Sequence, residues 1–257
     1  MALSRYFSRL VKPIITAQEQ EDNGALDAND VLFDWTAFKI PKGGNKLIGV
    51  TALVRGLEGV NAQIGMELFF ASSTRGNGGV TAGAAPTSIG VNDGAMGTVT
   101  ANPFFNDLLG STQILADDYT HNATTSVAHA ALYNPHSIIM GESDAGKNSE
   151  GDVTCYVAAT ATGTPTLHSN VAVGEAGFGA GTQTVITVSG TDANLVFAPG
   201  DVIHANDNAV LGTISTVDSA TQITLTAANT DAIVGSDGTA DRLYNISPIH
   251  LILSFER

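Results

Sequence analysis

The chain has 257 residues, of which 43% are hydrophobic and 14% are charged, and its formal net charge is −14. A strongly acidic chain repels the phosphate backbone, so direct nucleic-acid binding is disfavoured. The single cysteine, Cys155, excludes an intrachain disulfide, and no apolar run is long enough to predict a membrane span.

The low content of charged residues is the most informative bulk property. A soluble chain usually carries about 25% charged residues, so much of this surface consists of small polar and apolar side chains. Such a surface loses little hydration when another protein covers it. The composition therefore indicates a protein that packs against other protein surfaces.

The N-terminal segment has apolar residues at the spacing of one helix face, with basic residues on the other side and Pro13 as a stop. A helix this short is marginal alone. We therefore predict a short N-terminal arm or helix within residues 1–30, which either packs on its own domain or docks on another subunit. Membrane binding is the least favoured of the three possibilities. The candidate partner-binding residues are Leu3, Arg5, Tyr6, Phe7, Arg9, Leu10 and Lys12.

Strand signals follow the arm. Short runs rich in β-formers and bounded by Gly or Pro predict strands, at residues 31–40, 47–54, 64–70 and 153–160. Residues 74–103 are dominated by Gly, Ala, Thr, Ser and Asn, which predicts a long loop.

The balance of acidic and basic residues changes sharply in the second half of the chain. Residues 148–241 contain ten acids and no Lys or Arg, which marks a separate segment. Short β-like runs between turn residues within it predict a small antiparallel barrel. The last residues return to an apolar alternation, with Ile249, Leu251 and Phe255 on one face and His250, Ile252 and Ser254 on the other.

These patterns together predict an all-β protein. Residues 31–165 plus 246–257 are expected to form an antiparallel, jelly-roll-like β-sandwich, with residues 166–245 inserted into it as a small β-barrel. A simple tandem of two domains is the alternative arrangement.

No pattern predicts catalysis, a cofactor or a metal. Residues 141–148 fit G-x-x-x-x-G-K, but Asn148 replaces the Ser or Thr that would hold magnesium, and Glu142 and Asp144 would repel phosphate. The spacing of the six histidines matches no zinc site, and the acidic turns at 27–30 and 206–208 lack the calcium-loop pattern. We predict that the chain is not an enzyme.

Residues 197–203 (FAPGDVI) and 211–226 (LGTISTVDSATQITLT), within an Ala, Gly and Thr-rich, charge-poor chain, carry a resemblance. They are similar to small β-barrel modules of tailed-bacteriophage virion proteins. Within virions, the layout resembles a capsid decoration (cement) protein. The resemblance implies a structural role in the virion, with the major capsid protein, other virion subunits and further copies of the chain as partners. A tail or fibre component remains an alternative, and so does a carbohydrate-binding β-module.

Overall fold

The computed structural model describes most of the chain. The described residues are 5–16, 26–55, 63–74, 83–91, 94–97, 107–122, 125–132, 138–140, 152–165, 170–190, 193–235, 238 and 241–257. Within these ranges the paired strands are all antiparallel, and the helices are a 3-10 turn (Ala116–Asp118) and α1 (Ala193–Val196). The prediction of an all-β protein is confirmed. No helix in the described ranges has the length and hydrophobicity needed to cross a bilayer.

Sheet A contains strands from both ends of the chain. Its strand order is β1-β16-β3-β7-β6, and β8 pairs with the start of β3. The strands are β1 (Tyr6–Val11), β3 (Asn45–Val54), β6 (Thr120–Asn122), β7 (Thr125–Ala131), β8 (Ile138–Met140) and β16 (Ile249–Glu256). Along β16, buried and half-buried residues alternate without interruption, which confirms the two faces predicted for this strand.

Sheet B completes a sandwich with sheet A. Its order is β2-β9-β4-β5, with strands β2 (Val31–Pro41), β4 (Met66–Ser72), β5 (Leu108–Ile114) and β9 (Asp152–Ala161). The inner faces of both sheets supply one hydrophobic core, whose members include Phe38 and Val157 of sheet B and Leu253 and Phe255 of sheet A. The four predicted strands in this part of the chain are present, with bounds shifted by one or two residues.

Sheet C is built from the acidic segment. Its order is β10-β15-β12-β13-β14-β11, with strands β10 (Asn170–Ala172), β11 (Val185–Thr187), β12 (Val202–His204), β13 (Val210–Ser219), β14 (Gln222–Leu225) and β15 (Arg242–Asn245). A bridge between Val173 and Val188 joins the two edge strands. The Ser189 amide also donates to the Ala172 carbonyl at 2.7 Å. These contacts close sheet C on itself as a small barrel with its own core.

Sheet C lies between β9 and β16 in the chain, so a strand that follows it completes sheet A. Backbone hydrogen bonds hold the return segment in place. The Ile15 amide donates to the Ile246 carbonyl at 2.7 Å, and the Arg55 amide donates to the Pro248 carbonyl at 3.0 Å.

The predicted N-terminal helix is wrong. Residues 6–11 form β1, an edge strand of sheet A that pairs antiparallel with β16. An i, i+4 spacing also fits a strand, because residues four apart share a strand face. Pairing with β16 satisfies the backbone groups that a short, isolated helix could not protect.

The described parts of the predicted loop cover the outer face of sheet B. Ile89 is buried there with Val31 of β2 and Ala158 of β9. The Trp35 indole Nε1–H donates to the Thr87 carbonyl at 2.9 Å. The loop therefore contributes a small second layer of apolar packing.

Candidate interaction surface

The outer face of sheet A, turned away from sheet B, carries apolar side chains in ordered rows. Strand register places Tyr6, Glu256, Lys46 and Ile139 side by side across β1, β16, β3 and β8. Tyr6 is 56% exposed and Ile139 is 51% exposed. Two large apolar side chains thus flank a cross-strand Lys–Glu pair on an open sheet face.

A second row crosses the middle of the same face. Leu10, Ile252, Thr51 and His129 are register neighbours on β1, β16, β3 and β7. Leu10 is 57% exposed, and the Thr51 Oγ1 and His129 Nδ1 atoms are 2.8 Å apart. We call these two rows the outer face. Opposite pairs such as Thr51 and His129 stabilise a sheet and hold its side chains in fixed positions.

Basic side chains gather where β1 begins, β3 begins and β16 ends. The Arg257 amide donates to the Arg5 carbonyl at 2.8 Å, and its guanidinium donates to the Lys42 carbonyl at 3.3 Å. Arg9 Nε donates to the Lys39 carbonyl at 2.8 Å, which links sheet A to sheet B. We call this group the basic end. Its members are Arg5, Arg9, Lys39, Lys42, Lys46 and Arg257, and all are exposed except the half-buried Arg9.

Acidic residues only partly offset the basic end. Glu256 accepts hydrogen bonds from the Arg5 guanidinium, and this contact raises the pKa of Arg5 above its ordinary value. Asp152, the first residue of β9, lies opposite Pro41. An exposed ion pair of this kind contributes little to stability, so Arg5 and Glu256 chiefly shape the local charge.

The structure separates the seven predicted partner-binding residues. Arg5, Tyr6 and Leu10 lie on the outer face or at the basic end. Phe7 points inward and stacks on Phe255, with ring centroids 5.1 Å apart, and Arg9 lies over the Phe7 ring at 5.1 Å. The remaining two residues are elsewhere: Lys12 lines one groove beside Trp35 and another that reaches sheet C, and Leu3 lies outside the described residues.

Sequence reasoning missed Ile139, Thr51 and His129 as parts of this surface. Ile139 is exposed between the buried Ile138 and Met140. That alternation in a short apolar run was the available signal, but only the pairing of β8 with β3 places Ile139 beside Lys46.

A buried carboxylate joins sheet C to the sandwich. Asp201 is only 7% exposed. Its Oδ2 atom lies 3.2 Å from Arg55 Nη1 and accepts hydrogen bonds from the Ala198 amide at 2.9 Å and Asn245 Nδ2 at 3.2 Å. Burial raises the pKa of Asp201, although the Ala198 hydrogen bond and the nearby Arg55 and Lys12 charges oppose this effect. The carboxylate therefore has a structural role between the two cores.

His250 lies in the same region. Burial, assisted by the positive charges of Lys12 and Arg55, lowers the pKa of His250 to about 4. Its neutral form is therefore the stable one in the folded protein near neutral pH.

A groove of mixed polar and apolar lining lies beside Trp35. Its volume is about 550 Å³, and its lining residues are Lys12, Ile14, Thr16, Asp34, Trp35, Thr36, Ser88, Gly90 and Val91. Asp34 Oδ1 accepts a hydrogen bond from the Ile89 amide at 3.1 Å. A smaller groove of about 270 Å³ shares Lys12 and Ile14 and continues toward sheet C.

The other motifs have local roles where they are described. Asp30 Oδ2 accepts the Asp27 amide at 2.8 Å, and Asp207 Oδ1 accepts the Ala209 amide at 2.9 Å, so the acidic turns use their carboxylates internally. No three His, Cys, Asp or Glu side chains in the described ranges are grouped to hold a metal ion. The G-x-x-x-x-G-K segment at 141–148 lies outside those ranges.

Comparisons with known proteins do not identify a family for the chain. No protein-family model and no curated protein matches the chain. A chain from the structure of Sulfolobus turreted icosahedral virus is 9% identical, with 98% of this chain and 90% of that chain covered and a TM-score of 0.15. A fucolectin from the serum of Morone saxatilis (striped bass) is 10% identical, with 98% and 96% covered and a TM-score of 0.13. Neither TM-score indicates a common fold.

Proposed function

We propose that the chain is a non-enzymatic structural protein of a tailed-bacteriophage particle, which decorates or stabilises the capsid shell. The observation that carries this proposal is the outer face of sheet A. Tyr6, Leu10 and Ile139 are each more than half exposed there, on strands whose register is fixed by a buried core. An ordered face that presents exposed apolar side chains among polar and charged ones suits a protein-binding surface.

The chemistry of the face suits association with protein. Covering each of the three exposed apolar side chains would contribute on the order of 1 kcal/mol, since part of each is already buried. Thr51 and His129 are paired with each other, so covering them leaves fewer unsatisfied groups. The basic end beside the face would increase the rate of encounter with an acidic partner.

Cosedimentation tests the proposal. Purified protein is mixed separately with empty shells and with tails of the phage that encodes the chain. We expect saturable binding to shells. Binding to tails alone would instead support a tail or fibre role, and binding to neither would contradict a structural role in the particle.

A matched pair of variants tests the surface. Leu10→Ser should weaken shell binding several-fold, because it removes an exposed apolar side chain from the outer face. Leu115→Ser is the control, because Leu115 is 49% exposed but lies outside the two rows. Equal binding by both variants would exclude the outer face as the contact surface.

A carbohydrate-binding role is the second candidate, and the Trp35 groove is the observation that favours it. An aromatic ring beside hydroxyl, carboxylate and ammonium groups combines apolar contact with hydrogen bonding. A glycan array with the parent chain and Thr36→Val tests this role. Thr36→Val removes a hydroxyl from the groove and should abolish any specific glycan signal. Absence of a signal with the parent chain would contradict the candidate.

A further inference from the structure

Strand β1 is the outermost strand on one side of sheet A. It pairs with β16, and in the part of the chain that the structure describes no strand pairs with its other side. The outer side of such a strand presents a row of backbone N–H and C=O groups that a further extended segment can use. We call this side of β1, continued through Ile14, the open edge.

The pairing of β1 with β16 determines which backbone groups face the open edge. The Arg257 amide donates to the Arg5 carbonyl at 2.8 Å, so these two residues form a hydrogen-bonded pair. Hydrogen-bonded and non-hydrogen-bonded pairs alternate along antiparallel strands. The backbone N–H and C=O groups of Ser8 and Leu10 therefore point away from β16, toward the open edge.

Side-chain exposure along the same segment also has a period of two residues. The even-numbered residues from 6 to 14 are exposed, and the odd-numbered residues from 7 to 15 are buried or half-buried. Tyr6, Leu10 and Ile14 are 56%, 57% and 59% exposed. A strand added at the open edge would place its own alternate side chains beside them, whereas a helix does not have this period.

Basic side chains accompany the open edge. The segment contains Arg5, Arg9 and Lys12 and no acid. Glu256 pairs with Arg5, and Asp34 lines a groove with Lys12, so nearby acids offset only part of this charge. An acidic partner is therefore favoured at the open edge. The same edge of a second copy is disfavoured, because it would bring like charges together.

The Arg9 guanidinium also contacts the open edge. Its Nη1 atom donates to the Ser8 carbonyl at 3.1 Å, and its Nε atom donates to the Lys39 carbonyl of β2 at 2.8 Å. A carbonyl oxygen has two lone pairs, so the Ser8 carbonyl can accept a second hydrogen bond. The Arg9 contacts thus tie β1 to sheet B and still allow Ser8 to pair with an incoming strand.

We propose that the open edge accepts an extended, acidic segment of a shell subunit as an additional strand of sheet A. This inference rests on the proposed function, for which it specifies how the partner is bound. Backbone hydrogen bonds to Ser8 and Leu10 would supply affinity, and alternate apolar side chains of the added strand would cover Leu10 and Ile14. Its acidic side chains would set the preference for this edge.

A single backbone substitution tests strand addition. Ser8→Pro removes an N–H that points to the open edge and keeps the hydrogen bonds to β16, and Pro is tolerated at such edge positions. We expect the variant to keep the melting temperature of the parent chain within a few degrees. Its binding to empty shells in cosedimentation should fall about tenfold or more. Ser8→Ala is the control, because it removes the same hydroxyl, keeps the N–H and should bind like the parent chain.

Neutralising one charge tests the acidic character of the added segment. Lys12→Gln should weaken shell binding several-fold, and the loss should shrink at high salt because salt screens the contact. Lys42→Gln is the matched control, because it removes an exposed charge that lies away from the open edge. Equal losses for the two variants would show that the added segment is not recognised by its charge, and this would overturn the proposed acidic partner.

Hydrogen exchange on the parent chain provides a readout that needs no variant. The Ser8 and Leu10 amides should become protected when shells are bound. Unchanged exchange at both amides in the bound chain would overturn the inference, and so would shell binding by a folded Ser8→Pro variant that equals that of the parent chain.

Other occupants of the open edge give different results. If the acidic residues 17–25 of the same chain covered it, Ser8→Pro would lower the melting temperature well below that of Ser8→Ala and leave shell binding unchanged. A second copy would make the parent chain sediment as a dimer, which Ser8→Pro would convert to a monomer.

The inference and the proposed function fail in distinguishable ways. Shell binding that Leu10→Ser weakens and Ser8→Pro does not would overturn strand addition and leave the proposed function in place, with contact through the outer face alone. Absence of shell binding by the parent chain would contradict both.

Discussion

Phe7 stacks on Phe255, with ring centroids 5.1 Å apart and ring planes 13° from parallel. The two residues are also register partners on β1 and β16, at opposite ends of the chain sequence. Phe255 in turn contacts Phe38 of sheet B, with centroids 6.3 Å apart. The N-terminal strand is thereby tied to the core of the sandwich through one aromatic cluster.

The Phe7 contact predicts that the N-terminal segment contributes to stability. Phe7→Ala should lower the free energy of unfolding by about 2 kcal/mol, less than the loss for a fully buried Phe, because Phe7 is half-buried. Tyr6→Ala is the control and should change it by no more than about 0.5 kcal/mol. Urea denaturation followed by fluorescence measures both. Equal, small effects would mean that β1 does not pair stably in solution.

The Asp201 contacts predict a difference between two substitutions. Asp201→Ala leaves Arg55 and the Ala198 amide without their partner and should cost about 1–3 kcal/mol. Asp201→Asn should cost less, because its amide oxygen can still accept the Ala198 N–H, and Asn carries no charge to desolvate. Thermal unfolding of the two variants compares them. An Asn variant as unstable as the Ala variant would show that the ion pair with Arg55 dominates.

His250 predicts a loss of stability on acidification. Its pKa is about 4 in the folded chain and 6.5 as the ordinary value, so the unfolded chain binds the proton first as the pH falls. The free energy of unfolding should therefore decrease between pH 6.5 and pH 4. The raised pKa of Asp201 acts in the opposite direction at the lower end of this window. The effect of His250 should thus be clearest in its upper part.

His250→Asn tests this pH dependence. The variant should show a flatter dependence of melting temperature on pH below 6.5 than the parent chain. Parallel curves for the two proteins would show that His250 is not the group responsible.

Gly235 lies where neighbouring backbone atoms of the sheet C barrel leave no space for a side chain, so we predict that only glycine fits there. A Cβ atom at this position would lie 2.1 Å from the Glu175 carbonyl oxygen and 2.3 Å from the Ala176 carbonyl carbon. Because both are backbone atoms, Gly235→Ala should destabilise the barrel by about 1–3 kcal/mol or more. Gly44→Ala is the control, since nothing lies within 4 Å of its Cβ position. Hydrogen exchange of sheet C amides distinguishes a local effect from a global one.

The separate core of sheet C predicts an independent folding unit. A fragment of residues 166–245 should give dispersed amide resonances and unfold cooperatively, because its apolar residues pack with one another. Its free energy of unfolding should be lower than in the full chain, since Arg55 no longer pairs with Asp201. A fragment that remains unfolded would mean that sheet C needs the sandwich to fold.

The sequence by itself determined the fold class and most strands. Alternation along residues 249–256 and the Gly and Pro punctuation around residues 47–54 are local signals, and strand formation follows local patterns. The charge change along the chain likewise marked the acidic segment that forms sheet C. The N-terminal prediction failed because a four-residue apolar spacing fits both a helix face and a strand face.

Only the tertiary structure decided where those segments meet. Register across β1, β16, β3 and β8 placed Tyr6 beside Glu256, Lys46 and Ile139, although these residues are far apart in sequence. It also turned Phe7 inward and Tyr6 and Leu10 outward, since neighbouring residues on a strand face opposite sides. Strand pairing depends on contacts between distant segments, so the local pattern predicted the strands but not the surface they build together.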